Sequence, residues 1–323
     1  MGLRQVAISA LALALLFTPS HAVVLKSGGA AAGVSFGTWE PLNWTPDFVA
    51  VYRIENSSDL GENEILTSCG SDCDLSGTNV SSSTSDPIEG LRYLDPDSSA
   101  TDVSMSCDAD GSGCTDLNIN TGNLTWGGWV NYRGDNFHLG GINSNQLVIG
   151  QYDLNSSGTS DDTGYALTTA AFGDPAVSCF VDDTQLQITT VTGTGDPYNA
   201  LLSVWHHFVC RYTADSKLEV IQNDTVEATS TSGLSMSAAD SDFFAPSTYG
   251  VNTGGLNWES DELFVYAGLL TDKDICRICS CGINGEGCSC SASSNASYVS
   301  TGLNSSNCGS CTLPDCNGAL GAS

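Results

Sequence analysis

The chain is poor in positive charge. Nine Lys and Arg stand against 37 Asp and Glu over 323 residues, a formal charge of −28 at neutral pH. One of the nine, Arg4, lies in the apolar leader, so eight face the whole acidic surface. Nucleic acid and anionic membrane surfaces both need Lys and Arg to neutralise phosphate, so neither is expected as a partner. Histidine is scarce too, with four in all, and beyond residue 22 only His138, His206 and His207 remain. Neither G-x-S-x-G nor H-E-x-x-H occurs, which excludes the familiar hydrolase triad and the zincin site. Apolar runs are short: outside the leader none approaches the ~20 residues a membrane-spanning helix requires. Helix signals are almost absent.

Several features are present in place of these. Arg4, the apolar run Val6 to Phe17 and the small-residue site Ser20-His21-Ala22 read as a secretory leader over residues 1–22, cleaved near Ala22. The expected location is therefore extracellular or periplasmic. Fourteen cysteines in an exported chain imply disulfides. Six are spread along the body and eight crowd between Cys276 and Cys316. That change in density divides the chain into a leader (1–22), an N-terminal segment (23–46), a main domain (47–275) and a Cys-rich tail (276–323).

Short runs rich in Val, Ile, Tyr, Trp and Thr alternate with Gly, Ser, Asn and Asp clusters from 47 to 270, an all-β pattern that fits one large sandwich. Strands are expected at 48–55, 123–132, 145–154, 176–181, 185–192, 204–213, 217–222 and 259–270. In VWHHFVCRY, alternation sets His206, Phe208, Cys210 and Tyr212 on the core face and Trp205, His207, Val209 and Arg211 on the other. Cys210 then points inward, and Cys179, in a strand flanked by apolar residues, is its expected partner. Asn223-Asp224 between two β runs predicts a two-residue hairpin turn.

Four stretches, in order, resemble the laminin-G-like jelly roll of the concanavalin A-like lectin/glucanase superfamily. They are FVAVYRIEN (48–56), NLTWGGWVN (123–131) with Thr125, Trp129 and Val130, the Trp205-His206-His207 strand running on to Asn223-Asp224, and WESDELFVYAGLLTDKDI (258–275) with Asp261-Glu262 and a closing Leu-Thr-x-x-x-Ile turn. The resemblance implies a two-sheet antiparallel sandwich. It also implies structural roles for Trp129, Trp205, His206, His207, Asp261 and Glu262, and a binding rather than catalytic module.

Candidate chemistry is sparse. Glucanases of that superfamily present two carboxylates from alternate positions of one strand. In Glu259-Ser260-Asp261-Glu262, strict alternation puts Glu259 and Asp261 on one face and Glu262 on the other, which argues against glycosidase chemistry. His206 and His207, adjacent on a strand, point apart and cannot share a ligand. CDADGSGCTD (107–116) sets Asp108, Asp110, Ser112 and Asp116 at positions 1, 3, 5 and 9 of a calcium-loop spacing with Gly113 at 6, but Ile119 stands where a bidentate Glu belongs. The alternative is a small loop closed by a Cys107–Cys114 bridge, its acids merely solvated. Acidic, Gly-rich stretches 157–165 and 192–198, with Tyr152, Tyr165 and Tyr198 nearby, are expected at the rim, where the tyrosines either stack on sugars or cap the core.

In the tail, Cys276/Cys279 and Cys308/Cys311 have zinc-ribbon spacing, while export favours disulfides among Cys276, Cys279, Cys281, Cys288, Cys290, Cys308, Cys311 and Cys316. These readings converge on an exported module that binds a glycan or an extracellular protein, with calcium as the one cofactor to consider. A structural component of an extracellular layer and a polysaccharide-active glycosidase stand as the alternatives.

Overall fold

The computed structural model describes residues 47–54, 60–64, 73–85, 87, 93–96, 103–109, 113–132, 146–153, 163–169, 176–189, 204–248, 258–283, 288–290, 298–300 and 308. All of them belong to one compact unit spanning 37–323; a second unit, 1–36, lies outside the described residues, as do the leader and its cleavage site.

The β-rich pattern resolves into β1 (Phe48–Tyr52), β2 (Ser76–Thr78), β3 (Val80–Ser83), β4 (Tyr93–Pro96), β5 (Ser104–Cys107), β6 (Leu124–Tyr132), β7 (Gln146–Asp153), β8 (Thr163–Thr169), β9 (Ala176–Val181), β10 (Thr184–Thr189), β11 (Trp205–Thr213), β12 (Lys217–Gln222), β13 (Thr225–Ser230), β14 (Phe243–Thr248) and β15 (Trp258–Tyr266). A helix, α1 (Asp272–Cys281), and a small pair, β16 (Cys288–Cys290) with β17 (Tyr298–Ser300), follow. Among the described residues, one sheet of eight strands runs β13-β12-β11-β6-β15-β4-β3 with β1 also on β15, and one of seven runs β10-β9-β8-β7-β14-β5-β2. Every pairing is antiparallel. This is the two-sheet sandwich the sequence predicts.

Alternation explains the core. Phe208, Cys210 and Tyr212 of β11 meet Leu167, Val177 and Cys179 of the seven-stranded sheet in one apolar cluster with Trp126 and Tyr165. Cys179 and Cys210 form a disulfide across the two sheets, with Cα atoms 5.7 Å apart. Asn223 and Asp224 form the β12–β13 turn with φ of 48° and 76°, the left-handed pair such a turn demands.

Trp205, His207 and Val209 on the opposite face of β11 are equally buried. They are covered by α1, which the sequence reading missed. Thr271 accepts a hydrogen bond from Asp274 N while Asp274 Oδ2 accepts from Thr271 N at 3.0 Å, a capping box that starts the helix. Ile275 and Ile278 then pack against Val51, Val209, Ile221 and Phe264 of the eight-stranded sheet. Arg211 anchors the approach: its guanidinium meets Glu219 at 2.7 Å and Asp272 at 2.6 Å and donates to Leu270 O at 3.1 Å. The rise in cysteine density at 275/276 therefore coincides with no structural break, because one helix runs straight across it.

A second correction concerns β15. Asp261 pairs with Trp129 and Phe264 with Gly127, so Glu262 and Leu263 together oppose Gly128 in a β-bulge. The extra residue resets the alternation. Leu263 and Val265 enter the core, while Glu262, at φ 48°, accepts at Oε2 from Ile283 N at 3.0 Å on the α1 side. Glu262 thus does not point away from Asp261 as strict alternation predicted. Gly128 permits the bulge, since a Cβ there would lie 2.6 Å from Leu263 Cδ2.

Candidate functional site

The outer face of the eight-stranded sheet carries two cross-strand rows toward the β15 start. In one, His207 pairs with Trp129 and Trp129 with Asp261; in the next, Trp205 pairs with Asn131 and Asn131 with Glu259. Opposed residues of antiparallel strands share a face. Of the acidic run on β15, Asp261 and Glu262 are each only 1% exposed, whereas Glu259 is half-buried and reaches solvent. Asn131 Nδ2 donates to Glu259 Oε2 at 3.0 Å and fixes its rotamer. Ser260 pairs with Leu94, so Asp95 falls beside Glu259 on the neighbouring strand, also half-buried.

Tyr93 borders this row. Its ring packs edge-on against Trp205 with centroids 5.5 Å apart, and its hydroxyl lies 2.7 Å from Ser85 Oγ, itself 3.2 Å from Ser83 Oγ. Burial raises the phenol's pKa, and the Glu259 carboxylate pushes the same way, so Tyr93 stays a neutral donor-acceptor. Asp95, Glu259 and Ser83 are half-buried and Ser85 is exposed, while Tyr93 and Asn131 are buried beneath them and hold them in place. The two half-buried carboxylates occupy facing positions on the adjacent strands β4 and β15.

The two histidines fall on opposite faces, as alternation predicts. His206 stacks on Phe208 inside the sandwich, where Asn223 Nδ2 donates to its Nδ1 at 3.0 Å. His207 lies on the α1 side against Trp129, with ring centroids 5.1 Å apart. Burial lowers their pKa values to about 4 and about 3. Trp129 and Trp205 join Tyr93, Cys279 and Cys308 in a single buried cluster.

Of the acidic stretches, 107–109 and 113–116 follow β5 at the end where Phe243 pairs with Cys107 and Gln151, and 163–165 begin β8; 110–112 and 157–162 lie outside the described residues. Residues 192–198 lie outside the described residues. Cys107 and Cys114 form a disulfide, and Gly113 N donates to Asp108 O at 3.2 Å, closing the small loop. Asp108 and Asp116 are exposed; Asp110 and Ser112 lie outside the described residues. Tyr165 and Tyr152 are buried, donating to Leu117 O at 2.9 Å and Asp182 O at 3.0 Å, so both cap the core; Tyr198 lies outside the described residues.

Asp182, which sequence reading did not single out, organises this end. At φ 44° in the β9–β10 turn, its carboxylate accepts from Gly164 N at 3.0 Å, Ser237 N at 3.0 Å and Ser237 Oγ at 2.9 Å. Asp182→Ala leaves two amides without their acceptor and is expected to destabilise by about 2 kcal/mol, read as a lower denaturant midpoint. An unchanged midpoint would show that solvent replaces the carboxylate.

In the tail, Cys279 is disulfide-bonded to Cys308 and Cys276 is also in a disulfide, which removes both from a zinc site. Cys281 ends α1 and Cys288 and Cys290 bound β16; Cys311 and Cys316 lie outside the described residues. Among the described residues no cysteine is free, and no helix is long and apolar enough to cross a membrane.

No family model and no curated protein matches the sequence. Solved structures do match. The binding domain of Paraclostridial Mosquitocidal Protein 1 superposes with a TM-score of 0.52 at 11% identity, over 72% of this chain and 52% of that one. The botulinum neurotoxin serotype G binding domain gives 0.48 at 9% identity, over 71% and 49%. The serotype D ligand binding domain in complex with N-acetylneuraminic acid gives 0.47 at 10%, over 75% and 51%. The chain spans about half the length of these structures, and at such identities the likeness speaks of fold alone. Sheet order, register and superposition together give the chain an all-β two-sheet antiparallel sandwich, distantly similar in fold to the Paraclostridial Mosquitocidal Protein 1 binding domain.

Proposed function

We propose that the protein is an exported, non-catalytic binding module whose ligand is a glycan or the polar surface of an extracellular protein. The carrying observation is the patch of Glu259, Asn131, Tyr93 and Ser85. Its solvent-reaching members, Glu259 and Ser85, are held by the buried Asn131 and Tyr93, while Asp261 and Glu262 on β15 are sealed from solvent. Solvent-reaching carboxylates beside a serine hydroxyl suit hydroxyl-rich ligands, because each carboxylate oxygen accepts from a hydroxyl and the serine both donates and accepts. The name of the Paraclostridial match, a binding domain, supports the same reading.

The test is a glycan-array screen of the oxidised protein, run with calcium and with a chelator, beside the variant Glu259→Gln. Binding that weakens about tenfold or more in Glu259→Gln, as expected for loss of a charged hydrogen bond, supports the patch. Binding that is unchanged in the variant but lost on chelation would move the site to the 107–116 loop. Release of reducing sugar from any bound glycan would overturn the non-catalytic reading. Self-association without glycan binding would favour a structural component.

A further inference from the structure

The chain carries eight Asn-x-Ser/Thr sequons, and three of them, at Asn79, Asn123 and Asn223, lie among the described residues. The fold treats these three differently. Asn79 is exposed at φ 56°, at the corner where the chain leaves β2 in the seven-stranded sheet for β3 in the eight-stranded one. Asn123 is exposed just before β6, and its Oδ1 accepts from Ala214 N at 3.0 Å. That bond holds the amide by its oxygen and does not use Nδ2. Asn223 is spent at both ends: Oδ1 accepts from His207 N at 2.9 Å, and Nδ2 donates to buried His206 Nδ1 at 3.0 Å. Its φ of 48° also fixes it as the first residue of the β12–β13 turn.

We propose that Asn79 and Asn123 are N-glycan acceptors in a secretory pathway that transfers glycans to asparagine, and that Asn223 is not. In that transfer the asparagine Nδ2 attacks the anomeric carbon of a lipid diphosphate-linked oligosaccharide. A C–N bond forms, the C–O bond to the diphosphate breaks, the lipid diphosphate leaves, and one amide proton passes to base. Oδ1 takes no part, so at Asn123 the bond from Ala214 N survives the modification. At Asn223 the sugar would occupy the space where Nδ2 meets His206, which is 7% exposed, so a glycosylated chain could not close the β11–β12–β13 edge.

The hydroxyl of the Asn123 sequon sets an order of events. Thr125 is fully buried, donating to Gly268 O at 2.8 Å and accepting from Leu270 N at 3.2 Å, so it is reachable by the transferase only before β6 is covered. Glycan addition at Asn123 therefore precedes folding. Ser81 of the Asn79 sequon is exposed, its hydroxyl donating to Asp95 O at 2.9 Å.

The experiment is secretion of the full chain from a eukaryotic cell that N-glycosylates, followed by N-glycosidase digestion in heavy-oxygen water and peptide mapping. Heavy-labelled aspartate is expected at positions 79 and 123 and absent at 223. Asn79→Gln and Asn123→Asp should each remove one glycan's mass from the secreted protein, whereas Thr225→Ala, which erases the Asn223 sequon at an exposed residue, should leave the mass of attached glycan unchanged. Label at 223 in secreted, folded protein, or its absence at either 79 or 123, overturns the assignment.

Discussion

Lowering the pH from 7.5 to 5 is expected to remove about 4 kcal/mol of folding free energy, about 2 kcal/mol through each of His206 and His207. Both rings are held neutral by burial, with pKa values lowered from 6.5 to about 4 and about 3. In the unfolded chain each takes up a proton near pH 6.5. Between that value and the folded-state one, the unfolded state binds more protons, so stability rises with pH and is lost on acidification. The window matters because the chain is so acidic. Carboxylates begin to protonate near pH 4, where relief of their mutual repulsion works the other way, so the range above pH 5 isolates the histidines. Glu219 adds a separate loss at lower pH. Burial opposes its ionisation, but hydrogen bonds and charge from Arg211 and Lys217 outweigh this and lower its pKa, so its contribution vanishes as the pH falls through that depressed value. Urea unfolding at pH 7.5, 6.5 and 5 measures the slope, and His207→Phe, which fits the aromatic surroundings of Trp129 and Phe264, should roughly halve it. A flat stability profile above pH 5, or the same slope in His207→Phe, would sink the idea.

The sequence and the structure agree most closely where side-chain pattern alone decides. β9 and β12 occupy the predicted spans 176–181 and 217–222, because alternating β-branched and aromatic residues bounded by turn formers admit one register against a core. β8 was half-hidden in a stretch read as acidic loop, since Thr163 and Gly164 do not announce a strand. α1 escaped notice because Cys, Arg and Ser at 276–281 suggest a disulfide tail; the one legible cue was Thr271 three residues before Asp274. The β15 bulge had only an indirect trace, the Gly127-Gly128 pair on the facing strand. The candidate patch was less legible still. Glu259 stood in the sequence reading, but Asn131, Tyr93 and Ser85 come from β6, β4 and the residues after β3, and only cross-strand register brings them together. Asp182 likewise binds donors 55 residues along the chain, a relation no local pattern encodes.

Replacing Cys179 and Cys210 together by alanine is expected to cost about 3–4 kcal/mol, a figure set by the entropy of closing a loop across a 31-residue separation. The position makes the loss more than local. β9 lies in the seven-stranded sheet and β11 in the eight-stranded one, so this bond joins the two layers through the middle of the core, with both cysteines fully buried beside Trp126 and Leu167. Two alanines also leave a void where the sulfurs packed, which adds to the loss because the surrounding side chains relax only in part. The Cys107–Cys114 bridge supplies the control. Its separation is 7 residues, and it closes a loop already held by a backbone hydrogen bond, so its removal should cost distinctly less by the same entropic argument. Denaturant unfolding of the two double variants beside the parent protein, at constant slope against denaturant, distinguishes them. Equal losses, or a Cys179/Cys210 variant within about 1 kcal/mol of the parent, would mean that apolar packing between the sheets carries the sandwich and that the bridge merely accompanies it.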